Sequence, residues 1–450
     1  MKNLKTQLAV LVLFLLCLFT GANGQSIPGG HGATPGKASP VQNQPATSGP
    51  IVQEQEATKP PTYTVLYTFT GGADGAVPYG GSLIRDGAGN LYGTTNSGGN
   101  DSGCSSFGVP GCGVVFSLDG AGSETVLYTF TGGTDGGIPF AGLIRDAKGN
   151  LYGTTSSGGN GILPAGTVFK LDNTGQMTVL HSFCSVANCA DGNTPYAGVI
   201  RHAGNLYGTT QGGGPSNSGV VFKLDPTGNE TVLYTFCPSG DGGCTDGMSP
   251  NAVIADKEGN LYGTTTNGGG SSNSGVVFKL DPTGAETVLY SFAGGADGAT
   301  PLAGLIRDEA GNLYGTTEFG GTSGSGTVFK VDPAGNETVL YSFTGGTDGG
   351  YPEAGLIRDR KGNLYGTTFF GGLAPPPCSS FCGVVFKVDT TGVETVLYSF
   401  TGGTDGLNPA AGLMLGKSGN LYGTTGYGGD SDPTCQTGIG CGVVFKLTRR

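Results

Sequence analysis

The residues that could do chemistry are few, and most of them recur. The motif Asp-Gly-x-x-Pro occurs seven times, at Asp74, Asp135, Asp191, Asp246, Asp297, Asp348 and Asp405. Beside Gly, such a carboxylate can accept backbone N–H groups in an Asx-turn. Seven of them gathered on one ring could instead bind a polar ligand or a cation, because like charges repel unless water or a cation separates them. These seven Asp are the candidate ligand-binding residues, and calcium is the one cofactor the pattern leaves open. Of three His, His31 lies in a polar stretch, His181 replaces a repeated Tyr and His202 replaces a repeated Asp. Neither of the last two has partners at metal-ligand spacing, so no metal site is read. No Gly-x-Ser-x-Gly elbow, His-Glu-x-x-His or EF-hand loop occurs, and no helix follows the Gly-rich stretches to cradle a phosphate. Acid/base catalysis needs two carboxylates in unlike environments, which seven near-equivalent copies do not offer. No catalytic residue is assigned.

Beyond Cys17 the chain has ten Cys in five close pairs: Cys104/Cys112, Cys184/Cys189, Cys237/Cys244, Cys378/Cys382 and Cys435/Cys441. They occur where the connecting loops are longest, and an even number in an exported chain favours disulfides. Each such staple is worth about 2–3 kcal/mol in the chain-entropy account. Zinc is the rival reading, but two Cys per loop would need ligands from another repeat, and His is scarce.

These residues must be positioned by many short elements. The 450 residues include 90 Gly and 25 Pro, with 36% hydrophobic and 12% charged residues. That is too little charge for a solvated disordered chain. The net charge of −11, with no basic stretch, excludes nucleic-acid binding. Trp is absent, which removes the strongest sugar-stacking side chain.

Lys2 and Lys5, an apolar run from Leu8 to Phe19 and Ala22-Asn23-Gly24 read as a secretory signal peptide, 1–24, cleaved after Gly24. The run is too short to span a bilayer, and Leu16 before Cys17 disfavours lipidation. Residues 25–62 read as a Pro/Gly/Ser/Thr-rich linker. No sorting tail is read after Arg449, so a secreted, extracellular protein without a membrane span is expected.

The heptapeptide Gly-Asn-Leu-Tyr-Gly-Thr-Thr starts at Gly89, Gly149, Gly204, Gly259, Gly311, Gly362 and Gly419, 51 to 60 residues apart. Each copy carries four strand signals separated by turns. Four antiparallel strands per unit of this length predict an all-β, seven-bladed β-propeller over 63–450. The chain enters at Thr64–Phe69, which matches a fourth strand, and finishes at Val443–Leu447, which matches a third. The N-terminal strand is therefore expected to close the last blade and remove two open edges. The repeated Phe116, Phe169, Phe222, Phe278, Phe329, Phe386 and Phe445, and the repeated second-strand Tyr from Tyr92 to Tyr422, read as inter-blade packing. Arg85, Arg145, Arg201, Arg307 and Arg358, interrupted by Ala255 and Leu415, read as inter-blade ion pairs with neighbouring Asp.

Gly-Asn-Leu-Tyr-Gly-Thr-Thr, then Gly-Val-Val-Phe-Lys-Leu-Asp, then Glu-Thr-Val-Leu-Tyr-Ser-Phe, in that order over about 64–447, resembles the choice-of-anchor tandem repeat GloVer-containing protein family. The resemblance implies an exported bacterial repeat protein, often surface-anchored, and carries over no catalytic residues. The combined expectation is a secreted, monomeric, non-catalytic propeller that binds or scaffolds a glycan or an extracellular protein on its loop-rich face. The alternative is a channel enzyme of the lyase, lactonase or glycosidase type, which would need one or two blades to carry unlike polar residues at the centre.

Overall fold

The computed structural model describes residues 60–99, 104–106, 109–238, 244–373, 382–429, 435 and 440–449. The signal peptide, His31 and Cys378 lie outside them. Among the described residues the chain forms seven antiparallel sheets of one design. Blade 1 runs from an inner strand, Ile84–Arg85, through Leu91–Thr95 and Val114–Leu118 to an outer strand, Glu124–Thr129. Blades 2 to 6 repeat that order; blade 4 adds Met248–Pro250 to its sheet. Blade 7 takes Met414–Leu415, Leu421–Thr425 and Val443–Thr448 from the C-terminal end of the chain. Its outer strand is the N-terminal Thr62–Thr68, paired antiparallel from Thr62↔Thr448 to Thr68↔Val443. The ring is thus a closed seven-bladed propeller, its last sheet shared by the two ends of the chain.

The heptapeptide explains itself once its neighbours are known. Asn90 and Tyr92 donate to Asp86, tying the turn between the first two strands, and the same contacts recur at Asp146, Asp256, Asp308 and Asp359. Burial alone would raise these carboxyls, but the hydrogen bonds they accept hold them below the usual range. Gly93 must be Gly because a Cβ there would lie 2.7 Å from Cζ of Phe116. The first Thr reaches out of its blade: Thr94 Oγ1 donates to Ala141 O at 3.0 Å, and each equivalent Thr does the same to the next blade. Thr424 completes the circle on Pro78 O at 2.9 Å.

The core lies in the seams between blades. Each outer-strand Phe meets the third-strand Phe of the following blade edge to face at 5.0–5.4 Å, from Phe69–Phe116 to Phe400–Phe445. All fourteen rings are buried. Such offset pairs add about 0.5–1.5 kcal/mol each beyond the area they bury.

The Arg ring differs from the ion pairs expected. Only Arg201 comes within 4.0 Å of a carboxylate, that of Asp146. Arg85, Arg145, Arg307 and Arg358 lie over the Tyr ring of the preceding blade, 5.3–5.8 Å from its centroid. The guanidinium gains the face of that Tyr, and at Asp256 and Asp308 the charge of Arg307 and Arg358 also helps hold the carboxyl low. Where Leu415 interrupts the series, Arg449 supplies the cation, 4.2 Å over Tyr365.

Candidate functional site at the propeller axis

Two sets of loops share one face of the ring. The segment entering each inner strand bridges to the loop between the second and third strands of the same blade, as at Ala76↔Ser97 and Gly350↔Phe370. Disulfides Cys104–Cys112, Cys184–Cys189, Cys237–Cys244 and Cys435–Cys441 staple this face. The fifth expected bridge, Cys378–Cys382, is not among the described disulfides, because Cys378 lies outside the described residues. Its described half, Cys382, is buried in the seam between blades 6 and 7, packed with Val385 and Phe400. The Cys382 carbonyl accepts from Asn408 N at 3.1 Å, the place that Cys112 O and Cys441 O take in blades 1 and 7. The Cys104–Cys112 sulfurs lie against Gly132 of the following loop. Ser274 and Ser325 occupy the matching places under Gly294 and Gly345.

The seven Asp of Asp-Gly-x-x-Pro stand on this face, but each is brought to its own outer strand. Asp74, Asp135, Asp246, Asp297, Asp348 and Asp405 accept from the outer-strand Tyr hydroxyl at 2.8–3.0 Å. All seven also accept a loop N–H at 2.7–2.9 Å. At Asp191, buried, His181 takes the place of the Tyr, with Nε2 3.5 Å away. Burial holds that imidazole below its usual pKa. A Glu from the next blade approaches five of these sites: Glu124 at Asp74, Glu230 at Asp191, Glu286 at Asp246, Glu337 at Asp297 and Glu394 at Asp348. Burial first, and then the facing Asp, push these Glu up to about 7. Among the described residues no cluster of three or more His, Cys, Asp or Glu is suited to a metal.

The axis is built from other residues. Segments entering the inner strands touch from blade to blade: a Cβ on Gly142 would lie 2.8 Å from Ser82 O, and one on Gly412 would lie 2.4 Å from Ser82 Oγ. Just before this narrow collar, the residues around the Pro and just after Gly-Thr-Thr break the uniformity of the repeat. After the Pro stand Tyr79, Phe140, Tyr196, Asn251, Leu302, Glu353 and Ala410. After Gly-Thr-Thr stand Asn96, Ser156, Gln211, Thr266, Glu318, Phe369 and Gly426.

Backbone geometry holds them there. The residue before each Pro, from Val77 to Asn408, has φ of 54–57°. That left-handed conformation is costly for Val, Ile and Thr. The surroundings impose it: Val77 N–H donates to Cys441 O at 2.8 Å in the preceding blade, and its carbonyl accepts from Asn96 N at 3.0 Å.

These side chains converge across blades. Tyr79 of blade 1 donates its hydroxyl to Glu353 Oε2 of blade 6 at 2.5 Å, although blade 7 lies between. It can cross because blade 7 offers Ala410 and Gly426; a Cβ on Gly426 would stand 3.1 Å from the Tyr79 ring. An arc of rings in edge contact runs Tyr196–Phe140–Tyr79–Phe369–Phe370–Tyr351–Phe319, with centroids 4.5–6.3 Å apart, through blades 3, 2, 1, 6 and 5. Burial pushes Glu353 up to about 7, against the Tyr79 hydrogen bond that favours its charge. Glu318 is pushed to about 8 by burial and by Glu353 beside it. Tyr427 is raised to about 12 by burial and by Glu353. The site can stack apolar faces and accept hydrogen bonds or positive charge.

Sequence reasoning passed over these residues because it followed what all seven copies share. The signal lay in the opposite property, large changes of residue type around the motif Pro and just after Gly-Thr-Thr, beside strands that stay nearly constant.

The fold has relatives among solved structures. The extracellular domain described for the one component system BT4673 from B. thetaiotaomicron aligns with TM-score 0.51 and 12% identity, over 86% of this chain and 40% of that one. The chain therefore spans less than half of that protein's length. A protein from Bacteroides uniformis named for 6-phosphogluconolactonase aligns with TM-score 0.41 and 16% identity, over 69% and 84% of the two chains. A chain of the mitotic checkpoint complex gives 0.48 and 11%, over 92% and 99%. No curated protein sequence matches. The Gloeobacter/Verrucomicrobia repeat matches over residues 41–247 and 239–376, well over half of the sequence. The chain belongs to the Gloeobacter/Verrucomicrobia (GloVer) repeat family.

Proposed function

We propose that this propeller is an exported, non-catalytic binding protein that receives a glycan at the axial mouth of its disulfide-stapled face. One observation carries the reading: the near-identical blades differ around the motif Pro and just after Gly-Thr-Thr, and several of these unlike side chains meet at the axis, as Tyr79 and Glu353 do. Ring faces with a few polar groups are the chemistry of a small-ligand site. Export is supported by the four disulfides. The test is a glycan-array screen of the oxidised protein and its Tyr79→Ala variant, run with calcium and with chelator. Saturable, chelator-insensitive binding that Tyr79→Ala removes is the expected result. Binding that collapses with chelator would return the Asp residues to the site, and no binding would sink the reading.

A second reading, the channel enzyme, is favoured by the pair Glu318 and Glu353, two adjacent carboxyls both raised toward neutrality. It requires turnover of a labelled oligosaccharide that Glu318→Gln and Glu353→Gln each abolish.

A further inference from the structure

We infer that the axial site takes a cationic sugar, a saccharide bearing free primary amines, in preference to a neutral or acidic one. This rests on the glycan-binding reading above. Three observations point to the charge of the ligand. First, Glu318 and Glu353 interact with each other and with Tyr79, whose hydroxyl bonds Glu353, and among the described residues the electrostatic partners of both carboxyls include no Lys, Arg or His. Two partly buried carboxyls facing each other without a cation favour the protonated form, and an incoming ammonium would stabilise the charged one. Second, the described residues of the fourteen connections on this face, from each outer-strand Phe to the next inner strand and from each Gly-Thr-Thr to the next third strand, hold nine Asp or Glu and no Lys, Arg or His. Every Lys and Arg beyond Lys59 lies in a strand, in a turn of the opposite face or at the C-terminal end. The field over the mouth therefore draws cations and repels uronates or sulfated sugars. Third, the aromatic arc beside the two carboxyls supplies π faces, which attract an ammonium as well as the apolar face of a sugar. A neutral sugar would use the rings and leave the carboxyl pair uncompensated.

The probes are the tetramers of glucosamine, N-acetylglucosamine and galacturonic acid, together with tetralysine. Each is titrated calorimetrically at pH 6 into the full oxidised protein and into Glu318→Gln and Glu353→Gln. The glucosamine tetramer is expected to bind at least tenfold more tightly than its N-acetylated counterpart. Its affinity should fall with added salt and drop at least tenfold in each variant, while the galacturonate gives no heat. The thermal midpoint of each variant, unchanged or raised, shows that it is folded. Equal affinity for the two glucosamine forms, insensitive to both substitutions, would overturn the cationic inference and leave glycan binding standing. Tetralysine binding more tightly than any sugar would overturn the sugar class. Silence from every probe would count against both readings.

Discussion

The blade seams and the axial mouth are made of the same side chains, Tyr, Phe and Glu, put to opposite uses. At a seam, Tyr290 donates to Asp297, Glu337 approaches from the next blade, and Phe292 meets Phe329; the arrangement returns around the ring with few changes. At the axis, Tyr79, Glu353, Glu318 and the seven-ring arc occur once, because each blade contributes something different. A ring that must close seven times has to keep its contacts alike, since one misfitted seam exposes the apolar faces of two sheets. Residues that converge without stacking, like the loops of that face, are free to vary. Departure from the repeat is therefore the mark of a site in this architecture, and adherence to it the mark of a scaffold.

Substitutions in the two regions should differ in the size and kind of their effects. The largest effect is expected from removing the closing strand, Thr62–Thr68, which leaves Val443–Thr448 as an exposed edge. Loss of cooperative unfolding, together with aggregation, is the expected outcome, read by calorimetry and light scattering. Next comes Phe278→Ala at a fully buried seam ring, at about 3–5 kcal/mol in denaturant titration. Its axial counterpart, Phe369→Ala, should cost under about 1.5 kcal/mol and weaken ligand binding instead. Gly263→Ala places a Cβ 2.7 Å from the Phe278 ring and should cost about 1–3 kcal/mol. Thr316→Val, which deletes one hydrogen bond to the next blade, should cost about 1 kcal/mol.

The smallest effect distributes over pH. Five seam Glu are raised from 4.5 to about 7 in the folded ring. A carboxyl whose pKa is higher folded than unfolded stabilises fully below the unfolded value and loses that contribution as pH rises through the folded one. The thermal midpoint should therefore decline between pH 4.5 and 7, and Glu→Gln at all five seams should flatten the slope. A midpoint rising over that range would contradict the seam electrostatics.

The ring was readable in the chain because closure demands repetition. Seven heptapeptides fixed the blade count, and the spare strand at Thr64 against the missing one after Leu447 identified how the ends join. Contacts that depend on which partner is already taken were not readable. Arg145 lies over Tyr92 of the preceding blade while the equivalent Arg201 reaches Asp146, a difference that spacing cannot reveal. Arg449 standing in for Leu415 joins residues brought together only by the fold. The same holds for Tyr79 and Glu353, 274 positions apart. Neither residue belongs to a motif, and each becomes conspicuous only when the seven copies are aligned and their differences, not their identities, are compared.

The most direct test is a paired scan read on two axes, ligand affinity and unfolding free energy. Tyr79→Ala, Phe369→Ala and Glu318→Gln represent the axis; Phe278→Ala, Thr316→Val and Glu286→Gln represent the seams. The account predicts two separate groups: axial variants that lose affinity at nearly unchanged stability, and seam variants that change stability while folded protein binds normally. Seam variants that lose affinity at full stability, or axial variants that bind as well as the parent, would contradict it.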